Sequence, residues 1–477
     1  MTSSAPGTQE PSIKPSTHVS GLVVLGVSVF GSLAAALLGV AVTVGFGGVD
    51  PIGRIAALGV ALAWFGASAA GPTYYEAHLK EGPSQARRIV LVTILTQVFS
   101  VALALAAVSR NLAVTWVSLE ATTIVGAFLV AAGDDRRDAL EAAWKFAILC
   151  FAGVGFGLVG IGLLAASARG IQGVVPTNLD SLARVSGQLD PRLLSLALAA
   201  LLVGFGTKAG LFPLHWWLPD AHSQGPTPVS ALMSGGLVAT SLAVIVKVLA
   251  ALQGVALVAA FQHVLIGSGV AGLFVASFSM IDQRDSKRLL AFSTVENVSV
   301  MAIAAGIGTP LALAAFAIHL LGHAAIKTSA FLSAGALIAQ RGSRDVAELA
   351  GAIGRAPGAT SVFLISTAAL AAFPPSPLFV SEVLLVFAAF SAHMPWLAIV
   401  VAGLLAVAFV ALVQFSTAAC LGADRAGGTH GHRLARAYTL VSLVPIALAA
   451  GITVARPEWV IALVRGVAVA ATGRLPW

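Results

Sequence analysis

The chain has 477 residues, of which 58% are hydrophobic and only 10% are charged. A soluble domain carries about 25% charged residues, so these proportions exclude a soluble globular protein and point to an all-α chain that crosses a membrane many times. The net charge of +7 does not mark a nucleic-acid binder, because the basic residues lie in short loops without interleaved aromatics.

Residues 1–20, rich in Ser, Thr and Pro, read as a disordered lead. The apolar run 21–46 is too long for a cleaved signal and counts as a true span. At about 20 apolar residues per crossing, thirteen spans follow: 21–46, 54–72, 88–108, 111–131, 141–167, 192–218, 226–250, 257–281, 287–308, 310–338, 359–389, 395–419 and 434–455. The tail 456–477 is apolar but short and reads as interfacial. Cys150 and Cys420 sit in separate apolar runs without metal-ligand spacing, so neither a disulfide framework nor a metal site is expected.

Loop charge agrees with this order. Alternate loops carry 14 Lys and Arg residues, among them Arg136, Arg137, Arg284, Lys287, Arg288, Arg341 and Arg344, against 5 in the intervening loops. By the positive-inside rule the N-terminus is then cytoplasmic and the C-terminus external.

The sixth span holds Lys208 and is interrupted at Pro213. The eleventh is interrupted at Pro374 and Pro375, shortly before Glu382. Two five-span units, 88–250 and 257–419, would each carry a broken helix as fourth member, preceded by N-terminal helices over 21–72 and followed by a last helix at 434–455. Five is odd, so the second unit enters from the opposite side, and the repeats are inverted. Broken helices at matching positions point to a central ion site. Prolines also merely kink bundle helices, but a charge beside both breaks favours the site.

A charge at the centre of a bilayer costs at least about 2.5–3.5 kcal/mol, so each one demands a reason. Glu120 stands mid-span with no cation within a helical turn. Lys145 follows Glu141 by four residues, which fits either a relay group or a solvated local pair. Lys247, near the end of its span, reads as a snorkelling side chain. Glu296 lies about 15 Å into its helix. His319, His323 and Lys327, at i, i+4 and i+8, form a column on one helix face. Two histidines four apart can ligate a metal, but no carboxylate shares their turn. Buried lysine, histidine and glutamate in a row can pass protons through intervening water, with no cofactor in the chain.

The run KAGLFPLHWWLPDAHSQGPTPVSALMSG, from Lys208 onward, resembles the signature of the antiporter-like membrane subunits of respiratory complex I and of Mrp-type antiporters. EAAWK, LMSGGL, STVEN and PPSPLFVSE are most similar to the corresponding subunit of energy-converting hydrogenases, the hydrogenase-4 component F type. The resemblance implies a proton relay of Glu120, Lys145 and Lys208 in the first half, His319, His323 and Lys327 on the central axis, and Glu382 at the end of the second half. It also implies fourteen helices in most members, so thirteen suggests that the first is missing. Other membrane subunits and a peripheral redox module, nickel-iron hydrogenase-like or NADH/quinone-type, are the implied partners in a cell inner membrane. No haem, flavin, nucleotide or iron-sulfur motif is present, so redox catalysis is expected in other chains. An Mrp-type cation/proton antiporter subunit without a redox partner is the alternative. Many relatives carry His or Lys where this chain has Ser234, which places a gap in the expected path.

Overall fold

The computed structural model describes residues 15–45, 48–79, 83–133, 136–422 and 432–476. All regular elements among them are helical: α1 (Pro15–Thr43), α2 (Pro51–Leu79), α3 (Pro83–Val108), α4 (Leu112–Val130), α5 (Arg136–Ser167), α6 (Leu179–Val185), α7 (Pro191–Ala209), α8 (Trp217–Gln224), α9 (Thr227–Leu232), α10 (Val238–Ala251), α11 (Leu257–Ile281), α12 (Ser286–Ile307), α13 (Pro310–Arg341), α14 (Val346–Leu349), α15 (Ala352–Arg355), α16 (Pro357–Leu370), α17 (Pro377–Ser391), α18 (Pro395–Leu421), α19 (His432–Val454) and α20 (Glu458–Thr472). Most of the expected disordered lead lies outside the described residues, and α1 begins inside it.

Among the described residues eleven helices are long and apolar enough to cross a membrane, twelve if the pair Thr439–Val454 and Glu458–Thr472 is one span bent by 79°. The stretch expected as an eleventh crossing is instead two apolar helices of 14 and 15 residues, α16 and α17, each too short to span alone. The tail forms α20, which lays Val460, Leu463, Val464 and Val467 onto the bundle.

Local signals set the boundaries. Asp190 caps α7, accepting from the backbone N–H groups of Arg192 and Leu193, with Pro191 at the first helical position. Asp285 caps α12 and Thr309 caps α13 in the same way. Arg54 closes the other end of α1, its guanidinium donating to Val42 O at 2.6 Å and Thr43 O at 2.7 Å, where a cation meets the helix's free carbonyls.

The buried centre consists of α2, α12, α13 and the span Thr227–Ala251. That span is buried from Thr227 to Val248, and between α9 and α10 it widens into a π-helical turn at Met233–Leu237. The outer helices α1, α5, α11 and α18 expose large apolar side chains, among them Phe30, Ile148, Phe274 and Ile399, as a lipid-facing perimeter requires. Apolar outside and polar inside is the reverse of a soluble bundle. It leaves the functional groups on the central helices.

Candidate functional site: a buried row of ionisable groups

Helix α7 stops because Gly210 takes φ 73, a left-handed conformation open to glycine without strain. Residues 211–216 then run as turns to α8, and the Phe212–Pro213 peptide is cis. Trp217 Nε1–H donates to Thr207 O at 2.8 Å and so ties the two half-helices together. Lys208, one residue before the end of α7, is completely buried. Among the described residues its Nζ has no hydrogen-bond partner, and it lies 4.8 Å from the ring centroid of Phe146 on α5. Glu120 on α4, half-buried, is within electrostatic reach of Lys208 and accepts from Thr123 Oγ1 at 3.4 Å. A buried ammonium without an acceptor is costly; the aromatic face and the Glu120 carboxylate are what this site offers it.

The close packing of α5 on α7 holds Lys208 there. A Cβ on Gly153 would fall 2.3 Å from Thr207 Oγ1 and 2.5 Å from Thr207 Cβ. Gly153→Val should therefore push α7 outward and lower thermal stability in detergent by about 1–3 kcal/mol, the usual cost of overpacking; an unchanged unfolding temperature would contradict this packing.

Lys145 stands apart from the buried row. Its side chain is 48% exposed on α5, with Nζ 2.8 Å from Glu141 and 2.9 Å from Asp220 on α8. The expected local pair is present, and Asp220 converts it into a clasp on the half-helix. Lys247 corrects its expected place at the interface. Its amine is buried, 2.5 Å from Ala107 O, 3.1 Å from Ser109 O and 3.3 Å from Asp50 Oδ2. The free carbonyls at the end of α3 and the Asp50 carboxylate supply what water would otherwise give.

Ser234 lies in the π-helical turn, a distortion frequent at functional sites. Its hydroxyl is 2.8 Å from Thr294 Oγ1 of α12, and its carbonyl accepts from His323 Nε2 at 3.3 Å. That bond puts the proton of a neutral His323 on Nε2 and leaves Nδ1, buried and unpartnered, as a free acceptor. At this position the chain contributes a carbonyl and a hydroxyl.

The remaining groups converge between α12, α13 and α17. Lys327 Nζ donates to Leu290 O at 2.8 Å and Ser293 Oγ at 2.6 Å. Asn297 Nδ2 donates to Glu296 Oε2 at 2.6 Å, and Asn297 Oδ1 lies 3.0 Å from His319 Nε2. His319 Nδ1 lies 2.9 Å from Ser381 Oγ, itself 2.8 Å from Leu378 O. A neutral His319 takes the Ser381 proton on Nδ1. A protonated ring donates to Ser381 instead, and the hydroxyl turns to Leu378 O. Either charge state of His319 is thus fully hydrogen-bonded. Glu382, next to Ser381, is within electrostatic reach of Glu296. It follows the second break, where the Pro374–Pro375 peptide is cis and Ser376 caps α17 while donating to Ala369 O at 2.8 Å.

Several polar groups here escaped the sequence reading. Asn297, Ser293 and Ser381 are the hydrogen-bonding members between the charges, and STVEN had placed Asn297 beside Glu296. His222 of α8 is buried between Trp217 and Phe331, with neither ring nitrogen hydrogen-bonded, in reach of Lys327.

Residues 109–409 match the family model for the transmembrane region of NADH:quinone oxidoreductase and Mrp antiporters. A hydrogenase-4 component F homolog of Methylacidiphilum infernorum is 36% identical over 317 residues, 65% of each chain. NADH-quinone oxidoreductase subunit N of Desulforudis audaxviator is 31% identical over 269 residues, 56% of this chain and 52% of that protein. The chain thus spans less than two thirds of the length of either relative. Among solved structures, the archaeal membrane-bound sulfane sulfur reductase matches with a TM-score of 0.80 at 21% identity, covering 96% of both chains. The Mrp complex from Dietzia sp. DQ12-45-1b matches at 0.80 and 18% identity, covering 95% of this chain and 93% of that one. Helices, breaks and family model agree: the chain is a multi-pass membrane protein belonging to the NADH:quinone oxidoreductase/Mrp antiporter transmembrane family.

Proposed function

We propose that this chain carries protons across the membrane as one subunit of a redox-driven complex. One observation carries the reading most directly: Glu296, Asn297, His319 and Ser381 form an unbroken hydrogen-bonded line among buried helices, with Lys327 and Glu382 at its flanks. Water bridges Glu120, Lys208 and His323 into it, entering where Lys208 Nζ and His323 Nδ1 lack partners. Ser234 joins the halves through its carbonyl and hydroxyl, so its neutrality need not interrupt the path.

The two five-helix units, 88–250 and 257–419, are inverted repeats in this reading. Matching contacts support it: Asn111, capping α4, pairs with Asn178, capping α6, and Asp285, capping α12, pairs with Asp345, capping α14. The N-terminus lies in the cytoplasm, the C-terminus outside the cell membrane, and Lys145 serves at the edge of the row. Redox chemistry belongs to a hydrogenase-like or NADH/quinone-type module in neighbouring chains, since both classes of name occur among the relatives.

Lys208→Ala should abolish this subunit's share of redox-coupled proton translocation in membrane vesicles while the complex still assembles. Undiminished proton stoichiometry in that variant would sink the reading. The Mrp likeness favours one other reading, a cation/proton antiporter without redox partner. Sodium-dependent proton flux from a purified complex lacking any redox module would select it.

A further inference from the structure

Far from the row, at the ends of several helices, Asp50, Lys247, Arg110 and Asp180 form a second ionic cluster. Asp50 Oδ1 caps α2 through the Gly53 N–H at 2.9 Å. Its Oδ2 is buried, and among the described residues its charged neighbours are Lys247 Nζ at 3.3 Å and Arg110 Nη1 at 3.8 Å. The Asp50 side chain is 9% exposed and that of Lys247 3%. Arg110 also pairs with Asp180 at the start of α6. Asp50, Arg110 and Lys247 border a cavity of about 120 Å³, lined further by Ala183, Ala250 and Ala470 of α20. That is room for several waters beside a carboxylate oxygen with unused capacity.

Two features argue against a mere fastening. A Cβ at position 53 would fall 2.8 Å from Lys247 Nζ, so a glycine keeps open the space that admits the amine. And α10 leads from Lys247 back to the row. Thr240, about 10 Å earlier along the helix on the same face, is buried with its hydroxyl unpartnered. Ser234, about 9 Å before that, meets His323.

We infer that Asp50 and Lys247 form the port through which the row exchanges protons with water at this end of the bundle, roofed by the end of α20. The inference rests on the relay reading above. In each passage one N–H bond of the Lys247 ammonium breaks as an O–H bond forms on Asp50 or a cavity water. The amine is recharged by a proton from water on the Thr240 side, and the same steps reversed serve uptake. Among the described residues Arg110 also faces Asp50, and Arg110 is itself held by Asp180.

The test exploits the difference between lysine and arginine. Lys247→Arg keeps the cation for Asp50 and the α3 carbonyls, but a guanidinium does not release its proton. The variant, in its intact complex in membrane vesicles, should lose the same share of proton translocation as Lys208→Ala, with assembly retained. Wild-type translocation in Lys247→Arg alongside a loss in Lys208→Ala overturns the port and spares the relay. Wild-type levels in both overturn the relay and the port with it. Should Lys247→Arg fail to assemble, Ala183→Cys decides, since Ala183 is exposed on the cavity rim. A bulky, membrane-impermeant thiol reagent should inhibit translocation in that variant and not in the wild type, whose two cysteines are buried; no inhibition overturns the port.

Discussion

Lys327→Met should abolish proton translocation through this chain and leave its stability close to that of the wild type or above it. Lys327 is completely buried, and its only described partners are the Leu290 carbonyl and the Ser293 hydroxyl. Burying an ammonium costs several kcal/mol of desolvation, which two neutral acceptors and a nearby carboxylate return only in part. Methionine matches the stem in volume and removes the charge, a change that is often neutral or stabilising when the neighbours can adjust. Two neighbours must do so. Ser293 can turn its hydroxyl to its own helix, and Glu296 keeps the hydrogen bond from Asn297 Nδ2. The expectation is a thermal stability within about 1 kcal/mol of wild type or above it, with translocation lost. A residue kept at a cost to stability is kept for function. If Lys327→Met instead unfolds the complex, the amine is a structural keystone; if translocation persists, the axis does not run through it.

How much of this could be read from the sequence follows from what kinds of residue carry each feature. The breaks were legible because glycine and proline act locally: Pro213 and the Pro374–Pro375 pair interrupt their helices wherever the rest of the chain lies. The charges were legible because Glu296 or Lys327 in an apolar run has no ordinary explanation. Asn297 and Ser381 were not, since a short polar side chain in such a helix usually satisfies itself on its own backbone, and only the tertiary fold brings His319 between them. Lys247 was misread for the same reason. Nearness to a span end suggested snorkelling, whereas Gly53, Asp50 and the end of α3, all remote in sequence, make a pocket for it. The number of crossings is blurred by α16 and α17, which are apolar enough for one span but divided by their break.

The strongest single cut in the hydrogen-bonded line is at Asn297. Its amide touches three groups: it donates to Glu296 Oε2 and Ser293 O, both at 2.6 Å, and its oxygen serves His319 Nε2. Asn297→Leu keeps the branched shape, somewhat enlarged, with no polar atom, so it strips all three of a partner and excludes the water that could replace it. An unsatisfied buried group costs about 1–3 kcal/mol, and the Ser293 carbonyl retains its helix bond, so a total loss of about 2–6 kcal/mol follows, together with loss of translocation. Asn297→Ala separates the two effects. It leaves a polar cavity the size of a small side chain, where a water can bridge His319 to Glu296 with nearly the strength of a direct bond. The alanine variant should therefore unfold at a higher temperature than the leucine variant and recover measurable translocation, even though leucine buries more apolar surface. If leucine proves the more stable of the two, or if both translocate at the wild-type rate, Asn297 is packing and the proton passes elsewhere. The order alanine above leucine is the reverse of what a hydrophobic core gives, and only a position whose neighbours need a hydrogen-bonding partner produces it.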